Sequence, residues 1–175
     1  DPHLYIFGLL GNGLDARTVL ARIPANEVGA GNWSPRPEYL QRDSGERLHW
    51  TREFAPDRLH PVRGLPGTSE ATVQYSPGTG WFTYQIPPLE FEIRLFTSTN
   101  LEGPWRDRGA VYELPPPWPT GQRPDCSPIG PACRAYIAYA AKSHPELAPP
   151  GDRIVSYNVN LGSGRLPDAE RAAEE

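Results

Sequence analysis

Residues 69–112, SEATVQYSPGTGWFTYQIPPLEFEIRLFTSTNLEGPWRDRGAVY, hold four strand-like segments in succession, and no other stretch of the chain spells out so complete a unit. Residues 72–76 (TVQYS) are β-branched and aromatic, a short Pro-Gly-Thr-Gly turn follows, and residues 81–86 (WFTYQI) resume the strand pattern, so the pair predicts a hairpin. After Pro87-Pro88, residues 92–97 (EIRLFT) alternate polar and apolar side chains. Gly103-Pro104 then turns the chain, and residues 109–114 (GAVYEL) close the unit.

A four-stranded antiparallel meander of this length is what one blade of a β-propeller requires. The rest of the chain reads as partial copies. Residues 3–10 (HLYIFGLL) form a strand ending at the turn signal Gly11-Asn12-Gly13, residues 18–23 (TVLARI) form a second ending at Pro24, and a third short strand is expected from Trp33 to Tyr39-Leu40. These predict the last three strands of a blade whose first strand is missing. Residues 43–58 then read as a polar connection, with Trp50 as an apolar plug. Residues 115–131 carry seven prolines, too many for a helix or a sheet interior, and predict a crossing between blades. Residues 134–141 (RAYIAYAA) and 153–159 (RIVSYNV) are further strands joined by a turn at 143–147, and from Gly162 onward the polar, acidic sequence predicts a disordered or marginally helical tail. The expected fold class is all-β, a partial propeller of about two to three blades over residues 1–161 with a tail at 162–175. A closed ring takes four to eight blades. That shortfall, the absence of methionine and the start at Asp1 beside a strand predict a processed product or a fragment of a longer chain.

Proline is abundant (22 residues), but 18 Trp, Tyr and Phe residues accompany it, so it punctuates short strands rather than marking disorder. The net charge of −4, with no basic stripe interleaved with aromatics, excludes nucleic acid as the expected partner. No apolar run approaches the roughly 20 residues of a membrane span and no basic segment opens the chain, so no membrane association is expected. Sixteen of the 17 basic residues are Arg and one, Lys142, is Lys; composition alone attaches no function to that bias. Cys126 and Cys133, with six residues between them, sit in a Pro- and Gly-containing loop. That spacing favours a disulfide in a secreted protein, worth on the order of 2 kcal/mol, with two free thiols as the alternative.

The blade pattern, the phrase Leu101-Glu102-Gly103-Pro104-Trp105 after a strand, and the pair His144-Pro145-Glu146-Leu147 and Ser156-Tyr157-Asn158-Val159-Asn160 carry a resemblance over residues 3–160. The chain resembles the carbohydrate-active five-bladed β-propellers, within them a family long known only as of unknown function that includes endo-D-arabinanases. Arabinanase and β-xylosidase propellers are the more distant relatives. The resemblance implies a polysaccharide or oligosaccharide partner, an extracellular location, and glycoside hydrolysis of an arabinose-containing polysaccharide by the full-length form. The early blades that carry the first catalytic carboxylates in such propellers have no counterpart here, so the second carboxylate is expected outside this chain. A non-catalytic carbohydrate-binding or surface-interaction propeller is the alternative, and a truncated product without a function of its own is a third.

Glycoside hydrolysis needs two carboxyl groups flanking the scissile bond. Glu70 stands directly before the first strand of the complete blade, where a side chain can face the propeller axis, and is the expected general acid or base; a hydrogen-bonded loop glutamate is the plain alternative. Glu90 and Glu92 read as a solvated strand edge, and Asp15 as a turn residue. On the last strand, alternation places Ser156, Asn158 and Asn160 on one face, so His144, Asn158 and Asn160 are expected to contact sugar hydroxyls or else to be satisfied structural groups. Trp118 is the expected stacking platform, while Trp81 and Trp105 are expected in inter-blade packing. No cofactor is implied; a Ca²⁺ ion in a propeller funnel would need ligands, and no Asp-rich string supplies them. No Gly-x-Ser-x-Gly elbow, P-loop or dinucleotide-binding glycine pattern occurs.

Overall fold

The computed structural model describes residues 2–11, 13–28, 36–68, 70–115 and 136–161. Among these described residues the architecture is all-β: two four-stranded antiparallel meanders and one two-stranded hairpin, that is, two propeller blades and a strand pair of a third. The first blade runs β1 (His3–Leu10), β2 (Arg17–Pro24), β3 (Glu38–Arg42) and β4 (Leu48–Thr51), in that spatial order. The second runs β5 (Val73–Ser76), β6 (Gly80–Gln85), β7 (Glu92–Ser98) and β8 (Arg106–Glu113), again in chain order. The hairpin pairs β9 (Tyr136–Ser143) with β10 (Val155–Leu161). A single helical turn, α1 (Ala25–Val28), follows β2.

The second blade forms where the sequence pattern places it, with one extension. Its last strand begins at Arg106 rather than Gly109, because the charged Arg106-Asp107-Arg108 run pairs along β7: Arg94 bonds Asp107 at 2.9 Å and Arg108 donates to Thr97 Oγ1 at 2.9 Å. Charges suit an edge strand, which polarity alone disguises as loop.

The first blade corrects the sequence reading. It is a full four-stranded sheet with no missing strand, because residues 48–51 pair with β3, Leu40 opposite Trp50. The segment 43–58 is therefore not a bare connection. Asp43 makes the turn: its Oδ1 accepts from the backbone N–H of Gly45 (2.8 Å) and of Arg47 (2.9 Å), and its own N–H bonds the Arg47 carbonyl (3.0 Å). Trp50 does act as an apolar plug, but from within β4, packing edge-on to Tyr5 and beneath the Arg22 guanidinium.

Two cores lie between successive sheets rather than within any one of them. Leu20, Leu40 and Val62 from the first blade and its outgoing chain meet Phe96, Leu101 and Trp105 from the second. Phe7 packs edge-to-face on Trp105, whose indole N–H donates to the Leu101 carbonyl at 3.1 Å, and Trp81 packs against the same core. Both tryptophans thus serve inter-blade packing, as expected. Ile86, Ile93 and Leu114 of the second blade meet Ala138 and Ala141 of β9, with Val155 and Tyr157 of β10 alongside. The chain from Leu59 to Gly67 ties the blades together. It bonds back to Thr18 and Leu40, and the Arg63 carbonyl accepts from the Trp105 N–H at 2.8 Å. Gly64, at φ +85°, lies so close to Trp105 that an added Cβ would overlap its carbonyl oxygen.

Candidate functional site

Glu70 and His144, two of the polar residues singled out by sequence, lie at the boundary between the second blade and the β9–β10 hairpin. Glu70 precedes β5 with φ 61°, a left-handed backbone uncommon outside glycine. Its carboxylate meets the Lys142 ammonium near the end of β9 at 2.8 Å, with both side chains about half exposed. One residue further, Ser143 Oγ accepts from Gln74 Nε2 on β5 at 3.1 Å. His144 follows. Its Nδ1 lies 3.3 Å from Glu146 Oε1 and its Nε2 lies 2.7 Å from Ser156 Oγ. A carboxylate only accepts, so Nδ1–H donates to Glu146, while Nε2 and the Ser156 hydroxyl make the second hydrogen bond. The Glu146 carboxyl is held below its ordinary range chiefly by its own backbone N–H, against desolvation and with further help from the hydrogen bond and charge of His144.

The three polar contacts Glu70–Lys142, Gln74–Ser143 and His144–Ser156 form a continuous edge because the last two residues of β9 and the residue after it contribute to them in succession. Beside it, Gln74, Tyr75, Phe82, Pro145, Pro149 and Arg153 border a groove of about 370 Å³. Tyr75 is 59% exposed and sits edge-on to Trp81, 5.1 Å between ring centroids. Ala71, Thr72 and Val73, which follow Glu70 in the chain, line a separate cavity of about 560 Å³ with Tyr5, Phe7 and Trp81, on the side of β5 that faces the first blade. A groove with a few convergent polar groups is the ordinary form of a small-molecule site.

The expected residues do not all converge. Ser156, Asn158 and Asn160 share the exposed face of β10, as alternation requires, while Val155 and Tyr157 pack inward. Asn160, however, lies opposite Ile137, at the far end of the hairpin from Ser143. Four residues of extended strand, about 13 Å, separate it from Ser156. Its Nδ2 donates to Tyr139 Oη at 2.6 Å. Asn158 stands between, opposite Tyr139 and exposed. Glu90 and Glu92 bond Arg94, which also holds Asp107, so they belong to a surface ion network on β7. Trp118, Cys126 and Cys133 lie outside the described residues, so neither the stacking platform nor the disulfide is placed. Among the described residues no group of three or more His, Cys, Asp or Glu is arranged to hold a metal ion.

The sequence reading missed Lys142, Gln74 and Ser143 as members of this edge. The signal for Lys142 was present in its being the single lysine among 17 basic residues. Nothing in the sequence announces that Gln74 and Ser143, 69 residues apart, would meet.

Against known proteins, the chain superposes on the crystal structure of a Bacteroides ovatus ATCC 8483 protein provisionally described as a hydrolase, with a TM-score of 0.62 at 18% identity. The match covers 89% of this chain and 35% of that one, so this chain spans about a third of the other's length. At that identity the likeness is one of fold. No curated protein matches the sequence. The model of the family described as Domain of unknown function (DUF5005) matches residues 1–170, nearly the whole chain, and the protein belongs to that family.

Proposed function

We propose that this chain is part of a secreted carbohydrate-active propeller that binds and hydrolyses an arabinose-containing polysaccharide. The observation that carries the reading is the polar edge from Glu70 to Ser156, with an exposed tyrosine and a groove of about 370 Å³ beside it. Sugar rings present hydroxyls along the ring edge and C–H groups on the faces, and such a surface answers both. The provisional hydrolase description of the structural neighbour, and the resemblance to propellers that include endo-D-arabinanases, agree with this choice of chemistry. Within it, Glu70 works as an anion. A carboxylate engaged by an ammonium accepts hydrogen bonds and can take a proton from water, while the proton donor that cleavage also requires is supplied from elsewhere in the closed ring.

The test is release of oligosaccharides from D-arabinan by the full-length protein, followed by chromatography of the products. Glu70→Gln is expected to lower the rate roughly 10²–10⁴-fold with an unchanged circular dichroism spectrum; a wild-type rate in that variant rejects the assignment.

A second reading, a carbohydrate-binding propeller without catalysis, is favoured by one specific observation: the partner of Glu70 is Lys142 and not a second carboxyl group. Retention of arabinan in affinity electrophoresis with no new reducing ends would select it.

A further inference from the structure

Strand β9 changes phase in mid-course. Ile137 is exposed and Ala138 and Ala140 are buried, as alternation demands, yet Ala141 is buried as well. The pairing with β10 explains this. Lys142 lies opposite Ser156 and Tyr139 opposite Asn158, so Ala140 and Ala141 together face Tyr157 alone, which is a β-bulge. Ala140 adopts φ 59° at 3% exposure, a left-handed position that glycine fills without strain and alanine does not.

The extra residue decides where Lys142 points. Unbulged, Lys142 would continue the face of Ala138 and Ala140 and deliver an ammonium into the core formed by Ile86, Ile93 and Leu114. With the bulge, Ala141 and Ser143 take the buried face, and Lys142 emerges to meet Glu70. Glu70 is itself held at φ 61°. Two of the four non-glycine residues with positive φ among those described therefore present this one ion pair. Half-exposed ion pairs contribute little to stability, so the pair does not by itself account for strain at two residues. Strain that the surrounding fold maintains at such a place points to a site.

We propose that Glu70 and Lys142 form a sugar-binding dyad, set by the bulge at Ala140, that grips two adjacent hydroxyls of one arabinose unit. One hydroxyl donates to the Glu70 carboxylate, the other accepts from the Lys142 ammonium, and the 2.8 Å between the two groups suits neighbouring oxygens on one ring. This rests on the carbohydrate reading above and adds Lys142 to the groups that touch the ligand.

Isothermal titration of the full-length protein with linear arabino-oligosaccharides tests it, using the wild type, Glu70→Gln, Lys142→Gln, the double variant and Lys142→Arg. Each Gln variant is expected to bind at least tenfold more weakly, the double variant no more weakly than the poorer single, and Lys142→Arg to recover part of the loss. Thermal unfolding of all five within a few degrees of one another shows that folding is not what changed. Wild-type affinity in the Gln variants overturns the dyad and leaves the carbohydrate reading standing, whereas a wild type that binds no arabino-oligosaccharide overturns both.

Discussion

His60 shows how one side chain is specified by neighbours distant in sequence. It is 4% exposed, and its Nδ1 accepts from Arg42 Nε at 3.1 Å, which requires an unprotonated Nδ1. Burial first, then the charges of Arg42 and Arg63, hold its pKa below the ordinary 6.5, with Glu102 opposing. The unfolded chain therefore takes up a proton that the native chain refuses. Stability is full above about pH 6.5 and falls as pH drops from there toward the native pKa. In thermal melts between pH 7.5 and 5, His60→Gln is expected to lose less than the wild type over that interval; parallel curves would place the proton uptake elsewhere. Gly64 is the second residue-scale case. Gly64→Ala combines a φ of +85° with overlap on the Trp105 carbonyl, and is expected to cost roughly 2–3 kcal/mol, read as a lower urea midpoint at unchanged slope. Neither residue announces its role in sequence, since a His between Leu and Pro and a Gly in a loop are both commonplace.

Among elements, β4 and β9 were the least legible, for opposite reasons. The segment 43–51 is polar because β4 is a four-residue edge strand with no fully buried side chain, so its hydrophobic alternation is too weak to declare a strand. The turn that creates it rests on Asp43, which satisfies two backbone N–H groups. Asp43→Ala is expected to cost about 1 kcal/mol and to speed amide hydrogen exchange selectively in residues 48–51. Uniform exchange over the blade would show that β4 does not depend on that turn. In β9 the strand was legible and its bulge was not. A run of alanines is compatible with either face, and the phase change is fixed only by pairing with β10.

At the scale of the whole molecule, stability resides between blades. Trp105 belongs to the second blade by sequence, yet its ring fills the space against Phe7 and the core of the first. Trp105→Ala is expected to cost about 3–5 kcal/mol and to abolish the near-ultraviolet dichroism of the inter-blade aromatics together with the unfolding cooperativity of the two sheets. Trp105→Phe, losing chiefly the hydrogen bond to the Leu101 carbonyl, is expected to cost nearer 1 kcal/mol. The sequence by itself determined the class of fold and the second blade, because side-chain alternation, turn chemistry and proline placement are local and act within a few residues. It also marked Glu70 and His144 as residues at strand ends. Tertiary structure alone decided that the first blade is whole, that Asn160 lies a strand's length from His144, and that Glu70 faces Lys142. Those outcomes depend on strand pairing and register across tens of residues, and a single added residue at the Ala140 bulge is enough to turn the lysine from the core to the surface.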